Sequence, residues 1–130
     1  MVKFLAGAVF AAVNLLYASV FGGPIDGTSW DVHVKKDGFF HWASRRDTLV
    51  FEEGRAVVAG AIAKGYGPAL YDAKREDGAT AFTMRLRGPD QDPVVWTGRV
   101  EGKRISGVVV VNGRDGRVLR YVFTGERKDG

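Results

Sequence analysis

The side chains that most often carry out chemistry are sparse in this chain of 130 residues. With no cysteine anywhere, there is no disulfide, no thiolate nucleophile and no sulfur ligand for a metal. The two histidines, His33 and His41, lack the His-x-x-x-His spacing or nearby carboxylate cluster that a zinc site uses. Ser44 and Ser106 have no positioned His-Asp partner, and no Gly-x-Ser-x-Gly elbow occurs. Gly113 and Gly116 belong to a turn and not to a phosphate loop, because no helix follows them to present its N-terminus. The expectation is a protein that is not an enzyme and carries no metal or cofactor.

What remains is aromatic. The segment Gly38-Phe39-Phe40-His41-Trp42-Ala43-Ser44-Arg45-Arg46 places three large rings beside two arginines. Rings of that size in a connection need cover. One reading is a lid over an apolar ligand, with Arg45 or Arg46 meeting a polar head group. A second is a plug that only completes the core. A third has the 38–46 loop dipping into a membrane interface. Under the first, Phe40 and Trp42 touch ligand, and Tyr66, in Lys64-Gly65-Tyr66-Gly67-Pro68, faces them as a second gate.

Such a site needs a frame, and the frame is written in the turns. Glu53-Gly54, Asp77-Gly78 and Glu101-Gly102 recur every 24 residues between runs rich in Val, Ile, Thr and aromatics. An acidic residue followed by glycine suits a two-residue hairpin turn with positive φ. The connections between these turns, near residues 35–47, 63–68, 88–92 and 112–117, are longer. Tight and loose connections therefore alternate, as in an up-and-down barrel with one closed and one open end. Eight strands follow, at about 28–36, 46–52, 55–63, 69–76, 79–87, 93–101, 103–112 and 117–127.

The turns also set registers. Glu53-Gly54 places Phe51 opposite Ala56 and Leu49 opposite Val58. Asp77-Gly78 pairs Ala73 with Phe82 and Tyr71 with Met84. Glu101-Gly102 pairs Gly98 with Ile105, Trp96 with Gly107 and Val94 with Val109. A three-residue loop, Arg114-Asp115-Gly116, sets Val111 opposite Leu119. Each register joins apolar to apolar, with Trp30, Ile62, Tyr71, Met84, Trp96, Tyr121 and Phe123 among the inward residues. Small residues such as Gly60, Gly98 and Gly107 lie between them, and either leave a cavity or let the strands bend around a filled interior.

The cavity reading gives a ligand site at Trp30, Tyr71, Met84, Trp96, Tyr121 and Phe123, with Phe40, Trp42 and Tyr66 at the mouth. No inward charge is expected away from the ends. The ligand is then a small hydrophobic molecule, neutral or with its polar head at the rim, since a buried unpaired acid is costly. The alternative is a non-enzymatic interaction or inhibitor barrel that uses the open-end loops and keeps a filled interior. Val50, Val57, Ala59, Ala61, Val95, Val108 and Val110 point outward, either simply exposed or covered by residues 23–26 or a partner.

Composition narrows the partners. A net charge of +4 is mild and is spread without a basic stripe, which argues against nucleic acid. Residues 1–22 differ from the rest: Lys3 precedes a run from Phe4 to Phe21 that is almost wholly apolar, then Gly22 and Gly23. This reads as an export signal cleaved after Gly22, or as an uncleaved hydrophobic anchor. The expected product is periplasmic or secreted, in a bacterial envelope, touching membrane only through this segment or the 38–46 loop. The fold class expected is all-β: an eight-stranded antiparallel barrel over residues 25–128, preceded by an N-terminal signal or hydrophobic helix.

Gly27-Thr28-Ser29-Trp30 at the start of the first strand, the eight-strand meander and Arg127 on the last strand together resemble the lipocalin-like barrels of the calycin superfamily. In that superfamily a Gly-x-Trp opens strand one at the closed end, and an arginine of the final strand stacks over the Trp. The resemblance implies the same contact between Arg127 and Trp30. Two residues instead of one separate Gly27 from Trp30, and a Thr-Asp-Tyr motif and a C-terminal helix are missing. The superfamily includes carriers, inhibitors and enzymes, so the resemblance implies a fold and no ligand residues.

Overall fold

The computed structural model describes residues 24–36 and 44–128. The expected signal segment over residues 1–22 and the ring-bearing part of the mouth loop, with Phe39, Phe40, His41 and Trp42, lie outside the described residues.

Alternating apolar and polar residues build β1 (Thr28–Lys36), β2 (Ser44–Glu52), β3 (Arg55–Val58), β4 (Ala69–Glu76), β5 (Ala79–Leu86), β6 (Val94–Glu101), β7 (Arg104–Asn112) and β8 (Val118–Arg127). One helical turn, α1 (Ala59–Ile62), follows β3. All neighbours are antiparallel, and β8 returns to β1, so the sheet closes in chain order and leaves no free edge.

The first two tight turns have the expected chemistry. Glu53 and Gly54 have φ of 51° and 76°, and Asp77 and Gly78 have φ of 46° and 81°, the type I′ pattern. They give the registers Phe51 to Ala56, Leu49 to Val58, Ala73 to Phe82 and Tyr71 to Met84. Val111 opposes Leu119 across the looser β7–β8 connection, also as expected.

The third tight turn differs. Glu101 pairs with Arg104, so the central residues are Gly102 and Lys103, and the positive φ of 59° falls on Gly102 alone. That is the type II′ arrangement, with glycine first. Trp96 therefore faces Val109 and Gly98 faces Gly107. Moving the partner by two residues leaves every side chain on its expected face.

The second correction lies in the third strand. It stops at Val58 instead of running to residue 63, and Ala59–Ile62 coil into α1. Alanine-rich sequence has little β preference. The Asp47 carboxylate also takes the Gly60 N–H, at 2.8 Å. Ile62 is thereby 43 % exposed and does not line the interior, whereas Ala61, expected outside, packs against the core.

The entering segment has a role the alternation did not show. Ile25 is buried in the core, and Asp26 reaches over the closed end. Ile25 and Asp26 thus plug the barrel and do not cover the outer valines. Val50, Val57, Val95, Val108 and Val110 are half-buried on the outer wall.

Candidate functional site

The closed half of the interior is filled by rings. Phe51 meets Tyr71 at 4.8 Å and Phe82 at 5.1 Å between centroids, both edge-on. Phe123 lies 6.4 Å from Phe82 and 4.8 Å from Trp96. Paired Gly98 and Gly107 make room for them: a Cβ on Gly98 would stand 2.9 Å from both the Phe82 and Phe123 rings, and one on Gly107 2.8 Å from Phe123. Here the small residues accommodate rings and leave no void.

Three of the expected site residues are fixed in this half. The Trp30 indole N–H donates to Thr28 Oγ1 at 2.8 Å, and that hydroxyl donates to the Ile25 carbonyl at 2.6 Å. The Tyr71 hydroxyl donates to Asp26 Oδ1 at 3.0 Å. Phe123 is 1 % exposed within the ring cluster. Met84 is likewise buried. None of the four borders the cavity at the open end.

Arg127 does stand opposite Trp30 in the strand register. Its side chain, however, is exposed and lines an outer-wall hollow of about 720 Å³ with Asp31, Arg99 and Glu126. The stacking implied by the resemblance is not the contact this arginine makes. The hollow is wide, charged and open to solvent, which suits it poorly to holding a small molecule.

The open half holds a cup of about 240 Å³, walled by Val34, Val58, Leu86, Val94, Val109, Leu119 and the rings of Tyr66, Trp96 and Tyr121. The structure therefore brings three of the sequence-predicted site residues together. Phe40 and Trp42 lie outside the described residues.

The cup also has charged walls that strand reading missed. Arg45 and Asp47 share the inward parity of Leu49 and Phe51, and both line it, with Lys64 from the segment after α1. Asp47 is held by its backbone neighbours: Oδ1 accepts from Thr48 N and Gly60 N, each at 2.8 Å. Its other oxygen, Oδ2, is buried and has no hydrogen-bond partner among the described residues. A Cβ at Gly60 would stand 2.6 Å from that oxygen, so a larger residue there would have to displace the carboxylate. The signal for Asp47 was available: counting back by twos from Phe51 reaches it.

The rim is laced together. Tyr66 donates its hydroxyl to the Asp92 carbonyl at 2.6 Å, Arg114 pairs with Asp92 at 3.3 Å, and an Arg114 guanidinium nitrogen donates to the Asp90 carbonyl. The Tyr66 phenol is held above the usual tyrosine value, first by burial and then by the negative charge of Asp92. Its neutral form is thus favoured in the folded state. Its stabilising contribution is complete below the ordinary tyrosine pKa of about 10 and is lost as pH rises through the raised value. In an ultraviolet titration Tyr66→Phe should delete an ionisation that lies above the usual tyrosine range. An unchanged profile in the variant would contradict the assignment.

Among the described residues, no group of three or more His, Asp or Glu side chains is placed to hold a metal. No family model, curated protein or solved structure matched the chain. The cup is therefore read from its own walls.

Proposed function

We propose that this is a lipocalin-like carrier that holds a small hydrophobic molecule in its open-end cup, within the cell envelope to which residues 1–22 would direct it. The observation that carries this reading is a cavity of about 240 Å³ with aliphatic walls and three aromatic rings, inside a barrel whose opposite end is packed and plugged. The closed eight-stranded meander and a tryptophan at the start of its first strand support the lipocalin likeness. With about 30 Å³ of liquid volume per water, the cup suits a single ring with a short chain better than a long acyl tail. No step of bond chemistry is assigned to it.

Of the two tryptophans among the described residues, Trp96 is the reporter, since it lines the cup while Trp30 is sealed in the closed half. Titrating the protein with a small apolar fluorescence probe should quench tryptophan emission, and Trp96→Phe should remove most of that change. Mass spectrometry of small molecules extracted from natively purified protein should recover an apolar compound. Absence of both quenching and extractable compound would overturn the reading. That result would instead favour an interaction barrel, a reading that draws on the ring-filled closed half and on exposed Leu70 and Val118.

A further inference from the structure

We propose that the outer wall over the open half of β6, β7 and β8 docks on an anionic lipid surface, which brings the mouth of the barrel beside the membrane. The surface is separate from the cup and does not depend on what the cup holds. Val95 lies directly opposite Val110, and Val108 directly opposite Val122. All four point outward, since their neighbours in the chain, Val94, Trp96, Val109, Val111 and Tyr121, wall the cup. Each keeps part of its surface in solvent. Val118, also outward and 63 % exposed, extends the strip toward the mouth. Five valines thus run together across three strands, whereas outward apolar residues are ordinarily scattered singly.

Cations close the rows of this strip. Arg85 stands opposite Val95 and Arg120 opposite Val110 in one row, and Lys35 stands opposite Val122 in the next. Arg85 and Lys35 make no ion pair among the described residues. No described carboxylate lies directly across from any of the five valines. On this wall the described carboxylates gather toward the closed end, where Glu101 faces Arg104, Arg104 faces Glu126 and Glu126 faces Asp31. Charge and hydropathy together select the occupant. An anionic bilayer offers phosphate to the cations and, just beneath, an apolar layer to the valines. A second copy meeting this face about a two-fold axis would set the strip against itself, and the cations would find no carboxylate. Nucleic acid would match the charge but calls for stacking rings, which the strip lacks.

Because the chain has no cysteine, a single one can be introduced as a labelling site. Val110→Cys on the strip and Val57→Cys on β3, across the closed ring from β7, each carry a polarity-sensitive nitrobenzoxadiazole label on the full chain. Vesicles of phosphatidylcholine alone are compared with vesicles that also contain phosphatidylglycerol. Only the mixed vesicles should shift the emission of the Val110 label to the blue, and the Val57 label should not respond. Residues 1–22 are the same in both labelled proteins and cannot produce that difference. Arg85→Gln and Lys35→Gln should each raise the lipid concentration needed for the shift about five-fold, the weight of one cation at an anionic surface, and added salt should raise it further. A shift of both labels alike, a shift indifferent to phosphatidylglycerol or to the two substitutions, or no shift at all overturns the inference. A Val110 response to polyglutamate but not to vesicles would assign the strip to an acidic polypeptide. A response to protein concentration alone would assign it to a second copy, and either result likewise overturns the lipid surface.

Discussion

Phe51→Ala is expected to lower the free energy of unfolding by about 3–5 kcal/mol, the range for deleting a fully buried aromatic ring. Phe51 has no exposed surface and touches two further rings, at 4.8 and 5.1 Å, in the closed half of the barrel. The loss is placed toward the top of the range because the site cannot collapse. Its strand is held on one side by β1 and on the other by β3, and the sheet has no edge that could move inward. The ring is also remote from the cup, so binding of an apolar probe at the mouth should be retained wherever the variant remains folded. Urea unfolding followed by far-ultraviolet circular dichroism measures the first part, and probe titration the second. A loss below about 1 kcal/mol would mean that the ring is loosely packed. The closed half would then have to be regarded as part of a longer ligand channel.

That separation between a packed base and a hollow mouth was only half legible in the sequence. Hairpin chemistry is local, so Glu53-Gly54 and Asp77-Gly78 announced their turns and, through them, which residues face inward. The Gly102 turn moved its register by two without moving any face, because strand periodicity protects the side assignment and not the partner. Whether glycines leave space or admit rings cannot be read from parity. It depends on where Phe82 and Phe123 point from other strands, and Gly98 and Gly107 turned out to lie beneath them. The helical turn was hidden for a similar reason: Gly60 leaves the ladder for a carboxylate that stands 13 residues earlier. The resemblance put Arg127 at the right rung but not in the right contact, since pairing fixes the backbone and leaves a long exposed side chain free to turn outward.

Asp26 is the clearest case of a residue without a sequence signal, and it carries the second large prediction. It lies before the first strand, in a stretch that reads as an ordinary turn, yet its carboxylate accepts from Glu53 N at 2.7 Å, Gly54 N at 2.9 Å and the Tyr71 hydroxyl at 3.0 Å. It joins the entering chain to the β2–β3 turn and to β4 beyond it. Gly27 N, donating to the Phe51 carbonyl at 2.7 Å, continues the same seam. Asp26→Ala should therefore cost about 2–4 kcal/mol, since hydrogen bonds to a charged group contribute about 1.5–3 kcal/mol each but water can replace the carboxylate as acceptor for the exposed Glu53 N–H. Asp26→Asn retains acceptors for two of the three donors and should lose about half as much. Tyr71→Phe should cost about 1 kcal/mol, and its combination with Asp26→Ala should be less than additive, because both remove the same bond. Denaturant midpoints for the two single variants and the double variant complete the cycle. Strict additivity would show that the hydroxyl and the carboxylate stabilise the closed end independently. A loss within about 0.5 kcal/mol for Asp26→Ala, the range of an ordinary surface substitution, would show that the plug holds through Ile25 alone.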